Sequence, residues 1–224
     1  MPFRDRSDAG RKLAAALAGY KDQQPAILAL PRGGVPVAAE VAKALDAPLD
    51  LVLVRKIGVP SQPELAMGAV VDGGAPVVVR NEDIIELVGM TESKFKAICD
   101  SELAEIERRR QRYLGGRERV DLARHTAIVV DDGVATGATT RVALRAIRMR
   151  KPKKLVLAVS VAPADTVAAL RADADDVVCL ETHEDFGAIG FYYFDFRQVS
   201  DEEVIRLLEQ FPARKHGQAY QPAT

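Results

Sequence analysis

Short apolar runs alternate along the chain with stretches whose apolar residues recur at helical spacing, and this order restricts the fold more than any other feature. Strands that alternate with helices form parallel sheets, because a parallel neighbour requires a long crossover connection. The sequence therefore predicts an α/β fold, with a parallel twisted sheet flanked by helices in a single domain over residues 1–224. The runs interpreted as strands lie at 26–30, 49–54, 126–130, 154–161 and 176–180.

Three further segments interrupt this alternation. Asp72 and two glycines separate β-branched runs at 69–71 and 76–79, and this arrangement predicts a hairpin. A helical insertion is predicted at about 81–119, because apolar residues recur there at helical spacing. An aromatic-rich segment at about 182–198 predicts a small C-terminal hood.

Charge and composition argue against several classes of partner. The chain carries 31 Lys and Arg against 32 Asp and Glu, so it offers no global attraction for nucleic acid or an anionic membrane. No apolar run approaches the ~20 residues that a bilayer span needs, and Cys99 and Cys179 lack metal-type spacing. We expect a cytoplasmic protein. The six arginines of segment 108–119 are expected to form a solvated helix end rather than an RNA contact.

The strongest chemical signal follows the predicted strand at 126–130. Asp131 and Asp132 end this strand, and Gly133 lets the backbone turn so that both carboxylates reach one ligand. We expect both acids to lie at a solvent-accessible site. The next loop aims backbone N–H groups and hydroxyls at a position that suits a phosphate. A phosphorylated sugar satisfies both halves, whereas the alternative is an ordinary glycine-containing turn before a capped helix. The loop residues predicted to bind the ligand are Ala135, Thr136, Gly137, Ala138, Thr139 and Thr140.

These residues resemble a known family. Segment 127–140 is similar to the phosphoribosyl-pyrophosphate signature of the type I phosphoribosyltransferases, with four apolar residues, two acids, three variable positions and T-G-x-T. Residues 30–34, Leu-Pro-Arg-Gly-Gly, resemble the pyrophosphate loop of that family. Arg55 and Lys56, followed by a loop predicted at 57–69, resemble the basic strand end and mobile lid of the orotate and adenine enzymes. The motifs together resemble an uncharacterised bacterial subgroup known only as predicted phosphoribosyltransferases.

The resemblance implies a ligand and a cofactor. Asp131 and Asp132 are expected to hold the ribose hydroxyls of 5-phosphoribosyl 1-diphosphate, and residues 135–140 are expected to surround its 5′-phosphate. A Mg²⁺ ion is expected to bind mainly through the ligand and water, so no protein residue is assigned as its ligand. The resemblance also implies a homodimer.

Departure of pyrophosphate leaves a cationic sugar and a multiply charged leaving group, which cations must meet. We expect Arg32 to lie beside Arg55 or Lys56 at neighbouring strand ends and to bind this group. Gly33 and Gly34 are expected to let the backbone approach the anion, and the resemblance implies a cis peptide bond beside Arg32.

The acceptor site is the least specified part of the prediction. Segment 186–195 contains five aromatic residues, and either a flat base stacks on them, with Phe191 and Asp195 in contact, or they pack as a core. The 6-oxopurine members of the family carry an acid where this chain has Ala135, so hypoxanthine–guanine activity is not expected. Glu64 and Asp195 are the candidate replacements for that proton carrier.

Two functions follow from these features. The first is an enzyme that transfers a phosphoribosyl group to a planar nitrogenous acceptor, with the loop at 57–69 closing to exclude water. The second is a regulatory module that senses the donor or a nucleotide. The presence of both basic loops favours turnover.

Overall fold

A computed structural model describes residues 2–72 and 76–211, and for Pro63 and Glu64 it describes the backbone alone. None of the helices in this part of the chain is both long and apolar enough to cross a membrane. The strands are β1 (Pro25–Ala29), β2 (Leu49–Leu51), β3 (Val54–Val59), β4 (Gln62–Val71), β5 (Val77–Arg80), β6 (Thr126–Asp131), β7 (Lys154–Pro163) and β8 (Asp176–His183). The α-helices are α1 (Arg6–Ala16), α2 (Gly34–Leu45), α3 (Glu82–Leu87), α4 (Glu92–Leu114), α5 (Ala138–Met149), α6 (Ala164–Leu170) and α7 (Asp201–Glu209).

The central sheet has five parallel strands in the order β2–β1–β6–β7–β8, which confirms the predicted architecture. Its strands are apolar on both faces because helices cover both faces. Ile27 and Ala29 pack in one core with residues of α1, α2 and α7. Ala26 and Leu28, which alternate with them, pack in the opposite core with residues of α5 and α6. All the carboxyl ends of these strands therefore lie at one edge, where loops can form a site.

A second, antiparallel sheet contains β3, β4 and β5. Val71 pairs with Val77, which confirms the predicted hairpin. The loop predicted at 57–69 is wrong, because β3 and β4 form a second hairpin there. Gly68 on β4 has a structural explanation: a Cβ there would collide with the carbonyl oxygen of Val79 on β5, so the glycine permits close strand approach.

The strand predicted at 49–54 is two strands in different sheets. The Val52 N–H still donates to Ala29 O of β1 at 2.9 Å, but the Leu53 N–H donates to the Asp72 carboxylate at 3.0 Å. Asp72 returns its own N–H to Leu53 O at 2.9 Å, so the chain leaves the parallel sheet at Leu53. Arg55 therefore lies on β3 and not at the end of β2.

The long helix α4 lies within the segment predicted as a helical insertion. Thr91 caps it by accepting a hydrogen bond from the Lys94 N–H at 3.4 Å. The arginines near its C-terminal end do more than form a solvated helix end. Arg119 Nη1 donates to buried Asp72 Oδ2 at 2.6 Å, and Arg110 Nη1 lies 3.6 Å from the same oxygen. These contacts connect the insertion to the end of β4.

Candidate functional site

The carboxyl end of β6 carries the two adjacent acids. Asp131 is the last residue of the strand and is half-buried, whereas Asp132 is only 6% exposed. Asp131 Oδ1 accepts a hydrogen bond from the Asp132 N–H at 2.9 Å, which holds the backbone turn between them. The expectation that both acids face solvent is therefore wrong for Asp132, because packing of α1 against the sheet covers its side chain.

Arg6 is the residue that covers Asp132. Its Nε donates to Asp132 Oδ2 at 2.7 Å, and its Nη1 donates to the carbonyl of Arg197 at 2.8 Å. The guanidinium also lies 3.9 Å from the centre of the Phe196 ring, a cation–π contact. Sequence reasoning missed Arg6, because 126 positions separate it from Asp132 and it belongs to no motif.

The two acids create a strongly negative, enclosed strand end. Burial, and then the negative charge of Asp132, raise the pKa of Asp131 well above its usual range. Tyr193 packs against this strand end, and its hydroxyl donates to the backbone carbonyl of Asp132 at 2.5 Å. Burial also raises the pKa of Tyr193, which keeps the hydroxyl neutral as a donor. Such an environment favours a ligand that supplies hydrogen-bond donors or positive charge to the acids.

The loop between β1 and α2 packs directly against these acids. A Cβ on Gly33 would overlap the Asp132 carboxylate, whose Cγ would lie at 2.7 Å. A Cβ on Gly34 would lie 3.0 Å from Asp131 Cα. The Pro31–Arg32 peptide bond is cis, as expected. The glycine pair thus lets this loop lie against the acid pair of the neighbouring strand, a contact that the sequence did not predict.

The loop after the acids leads to the first turn of α5. Gly137 begins that turn with φ +73°, a left-handed conformation that favours glycine, and α5 has no side-chain cap. The first-turn N–H groups therefore have no intrahelical acceptor and are suited to an anion. Thr136 and Thr139 are exposed beside them. Thr140 is only 3% exposed, so its buried side chain does not offer the predicted contact with a phosphate.

A hydrogen bond from α6 also holds the loop between β6 and α5. Thr166 Oγ1 of α6 donates to Ala135 O at 2.9 Å. Ala135 and Ala138 are exposed, while Gly133 is buried against Ile189 and Val161. The acids, the glycine pair and the helix N-terminus therefore surround one end of β6.

The sequence matches a model of a known protein family over most of its length. The model of the phosphoribosyl transferase domain matches residues 4–195, well over half of the chain. The chain belongs to the phosphoribosyl transferase family. The match includes Arg6, the loop with the glycine pair, the loop with the acid pair, and the aromatic segment as far as Asp195.

Relatives of known sequence and structure agree with this assignment. The chain is 46% identical over 208 residues to "Putative phosphoribosyl transferase Rv0571c" and to "Putative phosphoribosyl transferase MT0597", both from Mycobacterium tuberculosis. These alignments cover 93% of the chain and 46% of each relative, so the chain spans about half the length of the curated relatives it matches. The crystal structure of the protein TT1426 from Thermus thermophilus is 40% identical, with a TM-score of 0.82, and the match covers 95% of this chain and 100% of that one.

Three residues predicted to be catalytic lie on the second sheet. Arg55 Nε donates to Glu102 Oε2 of α4 at 2.6 Å, so its guanidinium is committed to an ion pair. Lys56 is exposed on the same strand. Neither residue extends the end of β2 beside Arg32, because the chain changes sheets first. The Glu64 prediction concerns a side chain outside the described part of the structure.

The Arg32 side chain contacts an acid at the start of α7. Its Nη1 lies 3.4 Å from Asp201 Oδ1 at the start of α7. There it borders a pocket of about 350 Å³ that the sequence did not predict. The residues that line this pocket are Pro31, Arg32, Arg108, Arg109, Arg112, Tyr113 and Asp201.

The aromatic segment divides into buried and exposed rings. Tyr193 is buried, with its ring centre 5.3 Å from Phe3 and 5.0 Å from Phe196. Phe191 is 76% exposed. Asp195 is exposed and accepts a hydrogen bond from the Arg197 N–H at 3.1 Å. Core packing therefore explains Tyr193, while a contact of Phe191 and Asp195 with an acceptor stays a prediction.

Potential metal ligands are dispersed. Among the side chains that the structure describes, no three from His, Cys, Asp and Glu form a group that could hold a metal ion. Cys99 is buried and Cys179 is half-buried, and both are free thiols.

Proposed function

We propose that this protein transfers the phosphoribosyl group of 5-phosphoribosyl 1-diphosphate to a nucleobase-like acceptor and releases pyrophosphate. One observation carries the proposal: the acid pair, the glycine pair and the N-terminal turn of α5 meet at the end of β6. Each group suits a different part of one donor. The family membership supports the same reaction.

The acid pair suits the ribose. Asp131 and Asp132 offer carboxylate acceptors to the two ring hydroxyls, which are hydrogen-bond donors. Because Arg6 binds Asp132 in the structure, a ribose that reaches this carboxylate must replace or share the contact with Arg6. We therefore assign Arg6 as the counter-ion that balances the buried acid until a sugar hydroxyl binds it.

The two anion loops suit the phosphates. The exposed hydroxyls of Thr136 and Thr139 and the N–H groups of the first turn of α5 would bind the 5′-phosphate. The loop at 31–34, with the Arg32 guanidinium, would meet the diphosphate. In the reaction the bond from ribose C1 to the diphosphate oxygen breaks, and its electron pair leaves with pyrophosphate. A ring nitrogen of the acceptor bonds to C1 and loses its proton.

The strand end also fits a Mg²⁺ ion. Mg²⁺ prefers oxygen ligands, and it commonly binds through one or two carboxylates, water and substrate phosphates. Burial, and then the charge of Asp132, raise the pKa of Asp131, and a cation bound beside it would favour its charged form. Asp131 and Asp132 would hold the ion, directly or through water, and it would supply charge neutralisation for the diphosphate.

Calorimetry with the donor and Mg²⁺ tests the donor site. We expect wild-type protein to bind the donor, and Asp131→Asn and Asp132→Asn to weaken binding about tenfold or more, because each removes a charged acceptor. Asp121→Asn is the control, since Asp121 is exposed and accepts a local hydrogen bond from the Ala123 N–H at 3.0 Å. Thermal unfolding of each variant separates lost binding from lost folding.

A pyrophosphate-release screen across purine, pyrimidine and pyridine bases then tests transfer. Release with one base class supports the proposal and names the acceptor. Donor binding without release from any base contradicts transfer and supports the sensing function. Absence of donor binding by the wild type contradicts both.

A further inference from the structure

The start of the chain and the hood pair with each other beside the acid pair. The Phe194 N–H donates to Phe3 O at 2.8 Å, and the Asp195 N–H donates to Arg4 O at 2.9 Å. Phe3 also forms a parallel β-bridge with the hood and is buried there. These bonds make the two segments one unit, which we call the clasp and define as residues 2–5 and 189–197.

Two contacts attach the clasp directly to the loop that carries the acid pair. The Tyr193 hydroxyl donates to Asp132 O at 2.5 Å. A Cβ on Gly133 would lie 2.6 Å from Ile189 Cγ2, so a hood side chain fills the space that this glycine leaves. The clasp therefore contacts two consecutive residues of the strand end at which the ribose is proposed to bind.

Arg6 supplies a third contact and joins the clasp to the acid itself. Its Nε donates to Asp132 Oδ2 at 2.7 Å, its Nη1 donates to Arg197 O at 2.8 Å, and its guanidinium lies 3.9 Å from the centre of the Phe196 ring. We propose that Arg6 is a positioning residue that couples the ribose site to the hood: a sugar hydroxyl that binds Asp132 releases Arg6 and loosens the clasp. This coupling rests on the proposed function, because it requires a donor whose ribose reaches Asp132.

The observed arrangement leaves no room at Asp132 for both Arg6 and a sugar hydroxyl. The side chains of Asp132 and Arg6 are 9% and 11% exposed. The loop with the glycine pair covers another side of the carboxylate, since a Cβ on Gly33 would lie 2.7 Å from Asp132 Cγ. A hydroxyl therefore reaches the carboxylate when the contact with Arg6 breaks.

Loss of this contact also changes what Arg6 does in the clasp. A buried charge without its partner is costly, so the guanidinium moves towards water when a hydroxyl binds Asp132. Because one guanidinium makes all three contacts, the bond to Arg197 O and the contact with Phe196 are lost in the same movement. The clasp then keeps its contacts through Tyr193 and Ile189, with a weaker attachment to the strand end.

The clasp carries the residues that are predicted to contact an acceptor. Phe191, which is 76% exposed, and Asp195 both belong to it. A change in the attachment of the clasp therefore alters the acceptor site when the ribose site is filled. A ligand shifts such an equilibrium only by its unequal affinity for the two states, and competition for Asp132 supplies that inequality. Arg6 acts through Asp132 and the hood, without a contact with the reacting atoms.

Hydrogen exchange without ligand tests whether Arg6 attaches the clasp. We expect the Phe194 and Asp195 amides to exchange about tenfold faster or more in Arg6→Gln than in wild type, because an ion pair and a hydrogen bond are lost. Arg119→Gln is the matched control, since it breaks a buried ion pair with Asp72, at 2.6 Å, between the insertion and β4. Equal exchange in Arg6→Gln and wild type, or an equal increase in the control, would overturn the proposal.

Hydrogen exchange with bound donor tests the coupling itself. With 5-phosphoribosyl 1-diphosphate and Mg²⁺ but no base, we expect the same two amides of wild type to exchange several-fold faster than without ligand. In Arg6→Gln the donor should cause no further increase, because the contact that it breaks is already absent. A purely structural role for Arg6 does not produce this dependence on the donor. Unchanged or slower exchange in donor-bound wild type contradicts the coupling.

Calorimetry on the same samples separates this inference from the proposed function. Donor binding without a change in hood exchange overturns the coupling alone and leaves the proposed donor site standing. Absence of donor binding by wild type overturns the proposed function and the coupling together. Because these measurements need no turnover, their result does not depend on the base screen.

Discussion

Asp132 and Asp72 are buried to nearly the same extent, 6% and 5% exposed, and their surroundings give them different roles. Asp72 accepts hydrogen bonds from the Leu53 N–H and from Arg119, and it pairs with Arg110 as well. Asp132 has Arg6 as its ion-pair partner and a second acid as its chain neighbour. Partners rather than burial distinguish the two.

The difference separates structural from functional charge. The pKa of Asp72 is raised because burial outweighs the Arg119 charge and the hydrogen bonds from Leu53 and Arg119, which offset part of the rise. At the end of β6 the Arg6 guanidinium pairs with Asp132, and burial and the neighbouring Asp132 charge hold the pKa of Asp131 well above its usual range. An acid whose pKa is strongly perturbed next to exposed loops is typical of a binding site. The following predictions test this contrast.

The largest expected effect is on stability at Asp72. Asp72→Asn leaves Arg119 and Arg110 without their carboxylate, and breaking a buried pair in this way costs about 3–5 kcal/mol. Urea unfolding measures the loss. Asp100→Asn, which breaks the exposed pair with Lys96, is the control and is expected to cost far less, because exposed ion pairs contribute little to stability. A similar small cost at Asp72 would mean that the network is not structural.

A smaller effect is expected at the glycine pair. In Gly33→Ala the new Cβ would displace the Asp132 carboxylate, and overpacking of this kind costs about 1–3 kcal/mol. We expect donor affinity to fall as well, because the acid pair and this loop share one site. Gly19→Ala is the matched control, since nothing lies within 4 Å of its added Cβ. Wild-type stability and affinity in Gly33→Ala would contradict the close approach of the loop.

The smallest effect, taken per pH unit, is a change of stability with pH. The pKa of Asp131 is raised in the folded state, so between its ordinary value of 3.8 and the raised value the folded protein binds more protons than the unfolded chain. This contribution is fully present below 3.8 and is lost as the pH rises through the raised pKa.

Comparison with Asp131→Asn isolates this contribution. The free energy of unfolding of wild type minus that of the variant should fall as the pH rises above 4, by at most about 1.4 kcal/mol per pH unit. Urea unfolding from pH 4 to pH 8 measures the difference. A difference that is constant or rises with pH would show that the strand end does not disfavour the charged acid.

Local chemistry made much of the fold predictable. Alternating strands and helices gave the parallel sheet, and β-branched residues around Asp72 gave the pairing of Val71 with Val77. The hairpin of β3 and β4 was missed because its glycines and prolines normally favour loops. There Gly68 permits close strand approach to Val79, and the register shifts at Gly58, so both glycines serve the sheet. Composition cannot distinguish these two uses of glycine.

The acid pair was predictable for a similar reason, but its surroundings were not. Asp131, Asp132 and Gly137 were found from a short motif in which each residue acts within one strand, turn and helix. The exposure of Asp132 was predicted wrongly because it depends on Arg6, which packing brings from the first helix. Likewise, 169 positions separate Arg32 from Asp201.

By itself the sequence determined the order of strands and helices and the strand end that carries the acids, since hydrophobic period and turn chemistry act over a few neighbouring residues. Only the tertiary structure decided which charges meet: Arg6 with Asp132, Arg119 with Asp72, and Arg32 with the arginines of α4. Ion pairing and burial depend on distances in space, and residues far apart in the chain become neighbours only when the sheet and its helices pack.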